Sequence, residues 1–144
     1  MVTTKKLTTY SKSFNRYSQA RILHELGRLA QELNEYDRAK FYYQQALDIS
    51  IQGDRYVEYR IYLRLGMLAE ELSEWEEAKS YYLQALTILF QCEDEQSLNL
   101  VVNILANFYQ KTQDNSLITE FATMFEMTEA KVIKLFQQLT TGNQ

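Results

Sequence analysis

Apolar residues recur every three or four positions along most of this chain, and the alternation expected of a half-buried strand does not occur. Ile22, Leu26, Leu29, Ala30 and Leu33 fall on one side of a helix advancing 100° per residue. Asn34, a residue that tolerates the left-handed conformation, can end that helix. After a short polar turn through Glu35, Ala39, Tyr42, Tyr43, Ala46, Leu47 and Ile49 make a second apolar stripe. The same alternation of stripe and turn predicts two further helices up to Cys92, a fifth over 94–112 and a sixth over about 115–125. Val132, Leu135, Phe136 and Leu139 share one face of a seventh, for which Thr128 is a suitable N-cap.

The stripes are copies. "LGRLAQELNEYDRAKFYYQQAL" begins at Leu26 and "LGMLAEELSEWEEAKSYYLQAL" at Leu65. Setting Asn15–Gly53 above Asp54–Cys92 leaves about half of the positions identical, among them Arg16/Arg55, Tyr17/Tyr56, Arg21/Arg60, Gly27/Gly66, Ala39/Ala78 and Tyr43/Tyr82. A fixed offset sustained over a whole helix pair means a duplicated unit. A decayed third copy follows, with Leu105, Ala106 and Tyr109 where Leu65, Gly66 and Ala69 stand in the second.

Leu26-Gly27, Ala30, Tyr36, Ala39, Tyr43 and Ala46 have the spacing and residue types of the tetratricopeptide repeat, and so do Leu65-Gly66, Ala69, Trp75, Ala78, Tyr82 and Ala85. The chain therefore resembles that family over about residues 20–90, and more weakly over 97–125. The resemblance implies an all-α fold, an alpha-alpha superhelix or solenoid of stacked antiparallel helix pairs. Of about seven helices, the last would be a C-terminal cap. The expected organisation is a disordered tail over 1–14, then one domain over 15–144. Its repeats are 15–53, 54–92 and 93–126, and its cap is 127–140. The period of 39–40 exceeds the roughly 34 residues usual for this repeat, and the proline that often ends a unit is missing. Longer helices are expected, with Gly53–Arg55 making the turn between units, and such long units are similar to the sensor arms of large bacterial signalling ATPases.

Composition narrows the function. The chain has 144 residues, no proline, four glycines and one cysteine, and its formal charge is −4. A single cysteine excludes an internal disulfide and fits a reducing compartment, so the expected location is the cytoplasm. Net negative charge argues against general affinity for nucleic acid or anionic membranes, and no apolar run approaches the roughly 18 residues of a membrane span. Lys5, Lys6, Lys12 and Arg16 alternate with Tyr10, Phe14 and Tyr17, a mixture that can bind single strands; a solubilising tail is the preferred reading. His24 is the only histidine, and no HExxH, CxxC or glycine-rich phosphate loop is present, so neither catalysis nor a metal or cofactor is expected. Glu70, Glu71, Glu74, Glu76 and Glu77 read as a solvated helix end and turn rather than as acid–base machinery. Cys92 reads as a plain structural thiol.

What remains is a binding face. On the first helix the stripe opposite the apolar residues holds Arg21, His24, Arg28, Gln31 and Glu32. Its equivalent in the second unit is Arg60, Leu63, Met67, Glu70 and Glu71, and in the third Leu100, Asn103, Asn107, Gln110 and Lys111. The family resemblance implies that these positions line a concave groove which takes a peptide or partner-protein segment. The candidate site is therefore Arg21, His24, Arg28, Arg60, Leu63, Met67, Leu100, Asn103 and Asn107, and the expected partner is acidic and amphipathic. Leu63 and Met67 either present an apolar contact there or pack against neighbouring first helices. The clamp that some members use for acidic C-terminal tails needs Lys and Asn where this chain has His24 and Arg28, and Asn where it has Met67. The alternative function is a structural one, self-association through stack ends or apolar patches.

Overall fold

The computed structural model describes the backbone of residues 4–50 and 55–141, and the side chains of 15–50 and 55–141. Seven helices account for nearly all of it: α1 Thr4–Glu32, α2 Tyr36–Ser50, α3 Arg55–Glu71, α4 Trp75–Cys92, α5 Glu95–Thr112, α6 Asn115–Phe125 and α7 Glu129–Thr141. No strand occurs among the described residues. The expected turn at Gly53–Arg55 falls mainly on residues outside the described ones. The chain divides into two compact units, Met1–Ile88 and Leu89–Gln144, with the boundary inside α4.

The helix ends repeat as faithfully as the sequence does. Asn34 and Ser73, equivalent positions, both take left-handed backbone, with φ of 60° and 58°. In each turn the next residue closes a 2.8 Å bond back onto the helix, Glu35 N–H to the Ala30 carbonyl and Glu74 N–H to the Ala69 carbonyl. Such bonds satisfy carbonyls that the helix itself leaves open. In the second unit Asp94 caps α5 through the Ser97 N–H, and Asp114 caps α6 through the Ser116 N–H. The Thr128 hydroxyl accepts from the Lys131 N–H at the start of α7.

In the first unit α1 and α2 pack as an antiparallel pair around Tyr43. The two glycines are where this is possible. A Cβ on Gly27 would lie 2.5 Å from Tyr43 Cε1, and one on Gly66 would collide with the Tyr82 ring in the same way. Around Tyr43 the core gathers Ala30, Ala39 and Ala46 with Ile61, Leu65 and Leu68 of α3. In the second unit Phe136 of α7 meets Phe121 edge-on at 5.1 Å and Tyr109 at 5.9 Å. There α6 has 11 residues, against 15 in α2 and 18 in α4.

Two expectations are corrected. Residues 4–14 continue α1 rather than forming a tail; no glycine or proline interrupts them, and extending an existing helix needs no new nucleus. Residues 1–3 lie outside the described ones. The second correction concerns the apolar stripe of α1. Ile22 is 60 % exposed and Leu33 61 %, while Leu26 and Leu29 are exposed too. Among the described side chains of α1 the buried positions are Ala20, Gly27 and Ala30. The copies explain this. Ile61, Leu65 and Leu68, equivalent to Ile22, Leu26 and Leu29, are at most 2 % exposed because they pack on the core around α2. The stripe is the surface by which a first helix meets the preceding pair, and α1 has none before it in the described structure.

Replacing glycine by alanine inside an open helix gains roughly 1 kcal/mol. Gly66→Ala should do the opposite here, destabilising by roughly 1–3 kcal/mol through overpacking against Tyr82. Urea denaturation measures it; a stabilised variant would mean that Tyr82 moves away freely.

Candidate functional site

The face shared by α1 and α3 in the first unit is organised by two tyrosines whose rings are buried and whose hydroxyls reach the helix surface. Tyr43 donates to Gln31 Oε1 at 2.8 Å, and the Gln31 amide in turn donates to Glu71 Oε1 at 2.7 Å. That chain of bonds ties α2 to α1 and α1 to α3. Tyr82, at the equivalent position, donates to Glu70 Oε1 at 2.8 Å. Burial pushes the Tyr43 hydroxyl up to about 12 and raises that of Tyr82 as well, so both keep their protons and act as donors.

Beyond this polar network the face turns basic. Arg28 is held by Glu25 of its own helix at 3.0 Å. Arg21, Arg60 and Arg64 make no ion pair among the described residues. Between them sits His24, with a side chain only 15 % exposed. Its Nε2 is buried and has no hydrogen-bond partner. Its Nδ1 is 3.6 Å from Glu25 Oε1, and its ring centre is 5.9 Å from that of Tyr43. Burial lowers its basicity first and the positive charge of Arg64 next; Glu25 pulls the other way, and Arg60 and Arg28 add smaller lowering effects. His24 is thus neutral at physiological pH, and the Glu25 contact is a polar one rather than an ion pair.

The face accordingly has two ends: Arg60, Arg64 and Arg28 with His24 at one, Glu70 and Glu71 at the other. Arg64 is the residue sequence reasoning missed. It stands four residues after Arg60, on the adjoining part of the same helical surface, and that spacing was the available signal.

The other candidates divide. Arg21, Arg28 and Arg60 are exposed, and Met67 is half-buried. Leu63, expected on the wet side, is only 6 % exposed. A helix with a single narrow dry stripe through Leu65 and Leu68 would leave Leu63 in water. The buried residues of α3, from Tyr59 and Ile61 to Leu68 and Ala69, instead spread over more than half of its circumference, as in a helix with neighbours on more than one face, and leave open the side that carries Arg60, Arg64, Met67 and Glu71. Leu100, Asn103 and Asn107 belong to α5 in the second unit. Leu100 and Asn107 are exposed there; Asn103 is half-buried, and its amide donates to the Asn99 carbonyl at 2.9 Å. Among the described residues no three His, Cys, Asp or Glu side chains converge as a metal site would need, and no helix is long and apolar enough to cross a membrane.

The lowered His24 basicity fixes a sign. Above the ordinary value of 6.5 the imidazole is neutral both folded and unfolded. As the pH falls below 6.5 the unfolded chain takes up the proton first, so stability is lost towards acid. Denaturation midpoints measured down through that window should fall more steeply for the native chain than for His24→Gln; parallel curves would mean that the imidazole is not desolvated.

The tetratricopeptide-repeat family profile matches residues 18–91, just over half of the chain and both well-kept copies of the unit. No curated protein sequence matches the chain. Among solved structures, the N-terminal domain of stress-induced protein-1 (STI-1) from C. elegans is similar with a TM-score of 0.62. The match covers 87 % of this chain and 97 % of that one. Their identity is 16 %, so the likeness is one of fold. With its duplicated glycine, alanine and tyrosine positions each occupied for a visible packing reason, the chain belongs to the tetratricopeptide-repeat family.

Proposed function

We propose that the chain is a protein-interaction module whose α1/α3 face takes a peptide or partner-protein segment carrying acidic and apolar residues, as an adaptor or as the sensor arm of a signalling protein. The observation that carries this reading is the pair of unpaired guanidinium groups, Arg60 and Arg64, beside His24 and Arg28. A folded protein normally surrounds such charges with carboxylates or with water. Here Glu25, the carboxylate beside His24, is already engaged by Arg28. Glu70 and Glu71 at the opposite end give the face a direction, so an acidic segment would lie with its charges towards Arg60. Half-buried Met67 supplies an apolar contact that adapts to different partners. The arginines would chiefly select the partner and speed encounter.

Anisotropy titration with a labelled peptide of Glu, Leu and Ala tests it. Arg60→Glu combined with Arg64→Glu should weaken binding at least about tenfold, the equivalent of roughly 1.4 kcal/mol. Added salt should weaken the native complex more than the variant's, because screened charges lose their pull. Unchanged affinity with unchanged circular dichroism would refute the reading.

Self-association is a second reading, and the exposed stripe of α1 favours it. Ile22, Leu26, Leu29 and Leu33 are spaced four, three and four apart, the spacing of a coiled-coil seam. The occupant would be the same stripe of a second copy. Sedimentation should then show a dimer that Leu29→Glu converts to monomer; a native chain that stays monomeric at high concentration removes this reading.

A further inference from the structure

The basic end of the α1/α3 face holds more positive charge than a carboxylate partner balances. Arg60 and Arg64 carry two positive charges and make no ion pair among the described residues. Arg28 is only partly satisfied by Glu25, and half of its side chain remains exposed. One carboxylate would pair with one of the two free guanidinium groups and leave the other. A dianion pairs with both, and the planar fork of arginine matches tetrahedral oxyanions well.

His24 is the second, independent feature. Its Nε2 is buried without a partner in the protein. The groups around it come from three helices: Glu25 and Arg28 of α1, Tyr43 of α2, and Arg60 and Arg64 of α3. None of these makes a hydrogen bond with Nε2. The Tyr43 hydroxyl is committed as a donor to Gln31. The one carboxylate, Glu25, lies on the Nδ1 side and is shared with Arg28. A ligand with a double negative charge pairs with the free guanidinium groups, and its charge favours the protonated form of the imidazole beside them.

From this we infer that the basic end of the α1/α3 face is a site for a phosphomonoester dianion, borne by a phosphorylated side chain of the partner segment. The inference rests on the interaction-module reading and sharpens it: phosphorylation of the partner is the switch, and Arg60, Arg64, Arg28 and His24 are its readers. The ligand also reverses the local pH dependence. In the free protein the three arginines discourage protonation of His24; a bound dianion offsets them and favours the imidazolium, which donates from both nitrogens.

His24 is the only histidine in the chain, so its imidazole proton resonances report the site without assignment ambiguity. Inorganic phosphate is the first probe. It should shift the His24 resonances saturably and raise the imidazole titration midpoint, whereas chloride at equal ionic strength should do neither. Arg60→Gln with Arg64→Gln should abolish the response, and Arg64→Lys, which keeps the charge but loses the fork, should weaken it. Circular dichroism confirms that each variant is folded. The second probe is a peptide series identical except for phosphoserine, glutamate or serine at one position. The phosphoserine peptide should bind at least about tenfold more tightly than the glutamate one, and the double variant should remove that preference. Equal binding of the two acidic peptides, still dependent on Arg60 and Arg64, would overturn the phosphate site and leave the interaction module standing. No His24 response to phosphate and no binding of any peptide would overturn both.

Discussion

The structure depends on how closely a tyrosine ring can lie against a helix backbone. Tyr43 and Tyr82 each occupy the space that a side chain on Gly27 or Gly66 would fill. The ring is fully buried, so the hydroxyl can emerge in only one direction, towards the surface of the pair's own first helix. There it meets Gln31 in one copy and Glu70 in the other. A single packing decision thus does two things. It sets the spacing within each helix pair, and it delivers a polar anchor to the face that a partner would meet. Small residues elsewhere in the repeat serve the same end: Ala39 and Ala46 are fully buried beside Tyr43 and let α3 approach α2.

Much of this was legible in the sequence because repetition makes packing visible. Gly27 and Gly66, Tyr43 and Tyr82, Ala39 and Ala78 recur at one offset, and only positions under the same constraint survive duplication together. The left-handed turns at Asn34 and Ser73 could be placed for the same reason. The misreadings arose where a copy loses its neighbour or gains one. Ile22 and Ile61 are the same residue in the same register, yet one is 60 % exposed and the other fully buried. Hydrophobic periodicity reports what a surface is suited to meet, and it does not report whether anything is there. Leu63 is the converse. A helical wheel assigns it to a wet face because it stands opposite Leu65 and Leu68, but the buried arc of α3 extends far enough round the helix to include it. The helical start over 4–14 escaped detection because a segment without apolar periodicity can still extend a helix that already exists.

Divergence between the copies is as informative as identity. His24, Glu25 and Arg28 of the first copy correspond to Leu63, Arg64 and Met67 of the second. Ile22, Leu26, Gly27 and Leu29 recur unchanged as Ile61, Leu65, Gly66 and Leu68, so these substitutions flank a shared packing pattern. Their effect is to place one acid and two bases around an imidazole and to leave Arg64 without a carboxylate. Had the first copy's pattern been kept, an acidic residue at position 64 would stand among these bases and neutralise the face. Its charge is therefore a consequence of asymmetry introduced into a symmetric scaffold.

The desolvation of His24 completes the argument. A fully hydrated imidazole near arginines would be a weak sensor, since water would screen the arginines and supply both nitrogens with partners. Burial removes both supports. It makes the positive field of Arg64, Arg60 and Arg28 effective, and it leaves Nε2 without a hydrogen-bond partner in the protein. Such an arrangement costs stability as long as the face is empty, because buried polar atoms without partners are unfavourable. The chain retains it beside unpaired guanidinium groups that carry the opposite charge to any acidic ligand. Local instability and ligand affinity then have one origin: the groups that the fold leaves unsatisfied are those that an anion would satisfy.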